Sequence, residues 1–318
     1  MKVLANDGIS QAGIEVLEAA GYVVLTDKVE QSDLIEAINK ENISVLLVRS
    51  ATTVRKDLID ACPNLKLIGR GGVGMDNIDV QYGRDNGRLV VNTPGASSQS
   101  VAELVMGHLF SISRSLHDSY KNMADGDFKV LKKKYGQGVE LKGKKLVIVG
   151  FGRIGQSLAS YALGCGMNVV AVDKFTETRT IELSLGNGVS ATTEITPVPD
   201  MMSEIIDADY ISLHIPKQAD GSAVISASEF AFMKNGVRIV NAARGGVIDE
   251  DALIQALESN KVAAVALDVF ENEPTPRKDL LNNEKIACTP HVGAATMEAQ
   301  DRIGTELADT IISHFGTF

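Results

Sequence analysis

Three short stretches in the last third of the chain hold polar side chains in company that could do chemistry: Asn241-Ala242-Ala243-Arg244-Gly245-Gly246, Asp268-Val269-Phe270-Glu271-Asn272-Glu273-Pro274 and Thr289-Pro290-His291-Val292-Gly293. They fall near the ends of apolar runs that read as strands, and open α/β sheets bind ligands at the carboxyl ends of their strands. A histidine such as His291 can give and recover a proton near neutral pH. A carboxylate such as Glu273 beside it would orient the ring and favour its charged form. Arg244 offers a planar fork that can grip a carboxylate and polarise a neighbouring oxygen. The set could move a proton on and off an oxygen next to an acid group. Each residue also has a plainer reading: Arg244 as an ion-pair partner, Glu273 as a solvated loop carboxylate, His291 as a helix cap.

A second signature lies upstream. The apolar run Leu146 to Val149 leads into Gly150-Phe151-Gly152-Arg153-Ile154-Gly155 and then into a helical pattern from Gln156 to Leu163. In this context Gly150 permits a tight turn, Gly152 lets backbone approach a pyrophosphate, Gly155 allows close helix–strand packing, and the helix N-terminus attracts the anion. Asp173 ends the next apolar run, 18 residues past Gly155. There a carboxylate can accept hydrogen bonds from ribose hydroxyls and would repel a 2′-phosphate, so NAD is expected rather than NADP.

The elements that must position these residues follow a βαβ rhythm. Val3-Leu4-Ala5, Val23 to Leu25, Val45 to Val48, Leu67-Ile68 and Leu89 to Val91 alternate with helix-patterned segments, and a second series runs through Lys145 to Val149, Val169 to Val172, Tyr210 to Leu213, Ile239-Val240 and Ala263 to Leu267. Continuous apolar runs suit strands covered by helices on both faces, so two doubly wound, Rossmann-like parallel sheets of an α/β protein are predicted. From Ser98 to His117, residues Val101, Leu104, Val105, His108, Leu109 and Ile112 recur at helical spacing and could join the two. Thr296 to Phe315 repeats the pattern with Met297, Ile303, Leu307 and Ile311.

The chain has 318 residues, 44% apolar and 23% charged, with a formal net charge of −10. That length exceeds one usual core and implies two domains. The negative balance argues against nucleic acid as a partner, despite the local run Lys132 to Lys134. Cys62, Cys165 and Cys288 are far apart with no CxxC pair, so no disulfide framework and no metal site are expected. No run of 18 apolar residues and no leader-like N-terminus is present, which points to a cytoplasmic protein without membrane contact.

In these motifs the chain resembles the D-isomer-specific 2-hydroxyacid dehydrogenase family. The resemblance rests on Val48-Arg49-Ser50-Ala51-Thr52, on Gly69-Arg70-Gly71-Gly72-Val73-Gly74-Met75-Asp76-Asn77-Ile78-Asp79, on Val91-Asn92-Thr93-Pro94, on the glycine fingerprint and on the three late stretches. It implies a discontinuous substrate domain, residues 1–97 plus 292–318, and an NAD-binding domain, 98–291, with the reaction in the cleft between them. It implies Arg244, Glu273 and His291 as the catalytic set, acting on a small 2-hydroxy or 2-keto acid. Backbone near Pro216 and Ala242 and the side chain of Asp268 would border the nicotinamide. His214 and Gly293 join them as cofactor positions, while the side chains of His108, His117, His214 and His314 read as structural. A homodimer is implied as well.

For the substrate, bare backbone around Val73 and Gly74 can approach a carboxylate. Arg49 and Arg70 match family positions that hold a phosphate, and two cations suit a dianion. After Pro94 the chain reads Gly95-Ala96-Ser97-Ser98, where phosphate-handling members have an Asn-Gly-Asn type loop. Two alternatives remain open: a sister reductase for an acid with a small uncharged tail, and an NAD-sensing binding protein that acts through protein partners. No regulatory appendage is expected beyond the terminal helix.

Overall fold

The computed structural model describes every residue, Met1 to Phe318. The chain divides into two compact units, Met1–Ser98 with Ala294–Phe318, and Gln99–Gly293.

The first unit alternates β1 (Lys2–Ala5), α1 (Gln11–Ala19), β2 (Val23–Leu25), α2 (Leu34–Glu41), β3 (Val45–Val48), α3 (Lys56–Ala61), β4 (Leu67–Arg70), α4 (Val80–Asp85) and β5 (Leu89–Asn92). Its sheet is wholly parallel in the order β2-β1-β3-β4-β5. All four residues of β3 are buried, the signature of a strand covered on both faces. Leu34, Ile38, Leu58 and Ile59 from α2 and α3 close one face. Leu17 of α1 closes the other together with Ile303, Leu307 and Ile311 from the C-terminal helix.

The second unit holds α5 (Ser98–Arg114), α6 (Leu116–Asn122), α7 (Phe128–Tyr135), β6 (Lys145–Val149), α8 (Arg153–Gly164), β7 (Asn168–Val172), β8 (Arg179–Gly186), β9 (Val189–Ile195), α9 (Met201–Ile205), β10 (Tyr210–Leu213), α10 (Ala227–Phe232), β11 (Val237–Asn241), α11 (Glu250–Glu258), β12 (Val262–Leu267), α12 (Lys278–Leu281) and β13 (Ile286–Cys288). Its six-stranded sheet is also parallel, in the order β13-β12-β11-β10-β6-β7. Apolar residues of α5 and α8 pack on one face. Those of α9, α10 and α11 pack on the other.

In both sheets the winding reverses beside the first strand, between β1 and β3 and between β6 and β10. Loops diverge at such switch points and leave a crevice at the carboxyl ends. The terminal helix, α13 (Met297–Phe315), belongs to the first unit and is capped by Thr296, whose hydroxyl accepts from Ala299 N. A Cβ on Gly13 would come within 2.8 Å of Gly304 backbone, so glycines let α1 and α13 touch.

The fold departs from the sequence-based expectation in four places. The helix expected over Ser98 to His117 breaks at Ser115, which adopts φ 51°. Met297, expected on the apolar stripe of α13, is exposed because it stands in the first turn beyond the core. The short strand β13 carries only three residues, too few for a pattern. The hairpin β8–β9 went unread because its strands are largely polar and exposed. Its turn, Asn187-Gly188 with φ 53° and 75°, is the Asn-Gly pair that suits a two-residue hairpin.

Candidate active site

Of the residues expected to bind the cofactor, Gly150 to Gly155, Asp173, His214 and Pro216 follow the carboxyl ends of β6, β7 and β10, while Ala242, Asp268 and Gly293 follow β11, β12 and β13. Gly150 takes φ 94°, a conformation that favours glycine, and a Cβ there would run into the His214 carbonyl. Gly155 lies against the Gly150 carbonyl with no room for a side chain. A Cβ on Gly152, by contrast, would meet nothing within 4 Å. Gly152 is the N-cap of α8 and supplies no side-chain cap, so the first-turn N–H groups, those of Arg153, Ile154 and Gly155 among them, keep their affinity for an anion. Asp173 leaves β7 with its carboxylate turned to this turn, accepting from Phe151 N at 2.7 Å and from Phe175 N at 3.0 Å.

His214 leaves β10 with Nε2 2.8 Å from Ser212 Oγ, while its buried Nδ1 has no partner. Some of the residue reaches solvent, but the ring is sealed enough that burial pushes its pKa down to about 4. An orphaned buried nitrogen, an open glycine backbone and an uncapped helix start are what a site built for a polar ligand leaves when the protein is seen alone. The residues present fit a dinucleotide: Gly152 to Gly155 and α8 for the pyrophosphate, Asp173 for the ribose, and His214, Pro216 and Ala242 beside them.

The residues expected to do the chemistry, Arg244, Glu273 and His291, follow the ends of β11, β12 and β13. Asn241, buried at the end of β11, shapes the turn that carries Arg244: its amide donates to the Arg244 carbonyl at 3.0 Å and its oxygen accepts from Ala243 N at 3.0 Å. Gly245 is required there because any side chain would collide with the Phe270 carbonyl. Arg244 Nη1 donates to the Ala243 carbonyl at 2.6 Å. Past β12, Glu273 accepts from Phe270 N at 2.9 Å through Oε1 and stands 2.7 Å from His291 Nδ1 through Oε2. Burial pushes the Glu273 carboxyl up, but the bonds from His291 and Phe270 N and the charge of Arg244 hold it below the ordinary value. With Nδ1 turned to the carboxylate, Nε2 of His291 is left to meet a substrate.

His291 itself adopts φ 53°, rare for a side chain with a Cβ. The reason lies in Asp268, which is 1% exposed. Its Oδ1 accepts from Val292 N and its Oδ2 from Gly293 N, both at 2.9 Å, so the backbone after His291 is tied down. Oδ1 also accepts from the Thr289 hydroxyl at 2.6 Å, and that hydroxyl lies 3.0 Å from His108 Nε2. The Asp268 carboxylate, read from sequence as a cofactor contact, is thus engaged by the loop that carries His291. Gly293 is likewise held, its carbonyl accepting from Ser100 Oγ at 2.7 Å. His117 bonds the Glu284 carbonyl and His314 meets Phe315 edge-to-face.

In the first unit, Val48 pairs with Arg70 across β3 and β4, so Arg49 and Arg70 stand at the ends of adjacent strands. Arg70 folds back, donating from Nη1 to the Gly71 carbonyl at 2.5 Å, and packs over Gly72. Arg49 runs over Gly71. Thr93 and Asn92, at the end of β5, hold the glycine loop: Gly72 N donates to Thr93 Oγ1 at 2.9 Å and Asn92 Nδ2 to the Val73 carbonyl at 2.7 Å. No bond within the protein takes the N–H groups of Val73 and Gly74.

The model of the D-isomer specific 2-hydroxyacid dehydrogenase NAD-binding domain matches residues 106–293, more than half the chain. The chain belongs to that family. This family member is 39% identical over 311 residues to D-3-phosphoglycerate dehydrogenase of Methanocaldococcus jannaschii, covering 98% of the chain but 57% of that protein. It is also 39% identical over 326 aligned positions to hydroxypyruvate reductase of Thermotoga maritima, covering 99% and 98%. The solved glyoxylate reductase of Paecilomyes thermophila superposes with a TM-score of 0.79 at 27% identity, covering 100% of the chain and 96% of that structure. The family domain is an NAD-binding one, in keeping with the glycine turn and Asp173. No helix is long and apolar enough to cross a membrane, and no group of three or more His, Cys, Asp or Glu residues could hold a metal ion.

Proposed function

We propose that this protein is an NAD-dependent D-2-hydroxyacid dehydrogenase acting on D-3-phosphoglycerate, oxidising it to 3-phosphohydroxypyruvate, the entry step of serine biosynthesis. The observation that carries the reading is the Glu273–His291 pair at 2.7 Å, with the histidine's second nitrogen turned outward. In the oxidation, neutral His291 takes the C2 hydroxyl proton at Nε2 while Glu273 holds the ring by Nδ1 and balances the imidazolium charge. Arg244 grips the carboxylate and draws electron density from the C2 oxygen. Nicotinamide, when bound, accepts the hydride that leaves C2. In the reverse direction His291 returns its proton to the carbonyl oxygen. The unpaired N–H groups of Val73 and Gly74 serve the substrate carboxylate, and Arg49 and Arg70 serve the phosphate. A homodimer is part of the proposal, supported by the exposed apolar side chains Phe110, Leu116, Tyr120, Phe128 and Val130 on α5, α6 and α7 and Met123 just past α6.

Two observations favour a second reading, a reductase for hydroxypyruvate or glyoxylate. Arg70 already gives Nη1 to its own loop, and the relative matched over nearly its whole length is a hydroxypyruvate reductase. The test is NADH formation from NAD with D-3-phosphoglycerate, D-glycerate, D-lactate and glycolate, in wild type and Arg49→Ala. Preference for the phosphorylated acid, lost in the variant, supports the first reading. Equal or better turnover of unphosphorylated acids moves the protein to the second.

A further inference from the structure

The segment Arg49–Thr52, between β3 and α3, is gripped by two side chains to which the sequence reading gives no role, Asp7 and Asn77. Asp7 follows β1 at the switch point of the first sheet. Its Oδ2 accepts from Arg49 N at 2.7 Å and from Thr52 N at 3.0 Å, and its Oδ1 accepts from Thr52 Oγ1 at 2.7 Å. From the other side Asn77 Nδ2 donates to the Arg49 carbonyl at 2.7 Å and to the Thr52 carbonyl at 2.6 Å. Asn6 Nδ2 completes the network with a bond to Thr52 Oγ1 at 2.8 Å.

We propose that Asp7, with Asn77, is a positioning residue for Arg49: it sets the backbone from which the Arg49 guanidinium meets the distal anionic group of the substrate. The inference rests on the reading of Arg49 as the tail-binding cation. A long arginine side chain loses selectivity when its point of origin drifts, and a supporting layer of hydrogen bonds prevents that drift. Asp7 is suited to the task because its side chain is only 5% exposed and its oxygens face donors rather than water. Burial raises its pKa, yet the bonds from Thr52 and Arg49, with the charge of Lys28 3.5 Å away, bring it below the ordinary value. Both oxygens must accept, which an amide cannot reproduce. Asn77 also lies three residues past Gly74, so the same network ties the Arg49 segment to the glycine loop.

The test measures kcat and KM for D-3-phosphoglycerate and D-glycerate in wild type, Asp7→Asn, Arg49→Ala and the double variant. Asp7→Asn should raise KM for the phosphorylated acid by about tenfold to a hundredfold, the scale of an ångström's misplacement. The shift for D-glycerate should be much smaller, and in the Arg49→Ala background Asp7→Asn should change the preference no further. Equal losses on both acids, or a preference that keeps falling in the double variant, overturns the positioning role. If Arg49→Ala alone leaves the preference intact, the tail-binding reading itself has failed. Should Asp7→Asn not fold, Asn77→Ser removes the two bonds to the Arg49 and Thr52 carbonyls and is read by the same outcomes.

Discussion

Replacing Thr289 by valine deletes one hydroxyl and nearly keeps the side chain's shape. In the folded protein the single hydrogen of that hydroxyl goes to Asp268 Oδ1, so the contact with His108 requires Nε2–H of the imidazole to donate. Burial pushes the His108 pKa down, against a smaller upward pull from Asp268, which keeps the ring neutral. Valine leaves Asp268 Oδ1 with Val292 N alone and strands the His108 N–H, in residues that are 1% and 5% exposed. A buried polar group without its partner costs about 1–3 kcal/mol, so Thr289→Val should lose roughly 2–5 kcal/mol of stability. His108→Leu is milder, because Thr289 still gives its hydrogen to Asp268. The double variant removes both sides of the histidine contact and should be roughly 1–2 kcal/mol more stable than the sum of the singles. The chain has no tryptophan, so urea denaturation is best followed by far-ultraviolet circular dichroism. Turnover is the second readout: a looser Asp268 loosens the loop around His291, and kcat should fall about tenfold or more. Wild-type midpoint and turnover in Thr289→Val, or strict additivity in the double variant, would refute the coupling.

Glu273→Gln keeps an acceptor for His291 Nδ1 but removes the charge, so kcat should drop by about a hundredfold or more with little change in cofactor affinity, checked by steady-state kinetics. Gly150→Ala forces a Cβ into the His214 carbonyl at φ 94° and should cost about 1–3 kcal/mol or more in thermal denaturation; Gly152→Ala has room and should weaken NAD binding instead, measured by calorimetry. The His214 pKa, down from 6.5 to about 4, means the unfolded chain takes up the proton first. Stability is therefore full above about pH 6.5 and falls as pH drops toward 4, by at most about 3 kcal/mol. His214→Gln should flatten urea-derived stability over that window, and an unchanged slope would count against a buried neutral ring.

Much of the scaffold was legible because its physics is local. Short, mostly apolar runs such as Val45 to Val48 and Tyr210 to Leu213, set between helix-patterned segments, suit strands covered on both faces, and both are fully buried. The glycine turn was legible because Gly150 and Gly155 answer to steric limits that a sequence displays directly. What escaped were long-range pairings. Nothing in the order of residues says that Asp7 meets Thr52, that Thr93 holds Gly72, or that His108 reaches Thr289 across 181 positions. The break at Ser115 was hidden as well, since a serine mid-pattern does not by itself end a helix.

Two aspartates do parallel work in the two units. Asp268 turns both oxygens to the loop that carries His291, and Asp7 turns both to the segment that carries Arg49. Each carboxylate follows a strand at the carboxyl edge of its sheet, where the departing chain would otherwise leave N–H groups buried without partners. A carboxylate is the one side chain that can accept several such donors at once while staying ionised. The backbone that carries His291 and the backbone that carries Arg49 are tied down in the same way. In both units a nearly buried aspartate at the end of one strand accepts from N–H groups of the loop that leaves the neighbouring strand.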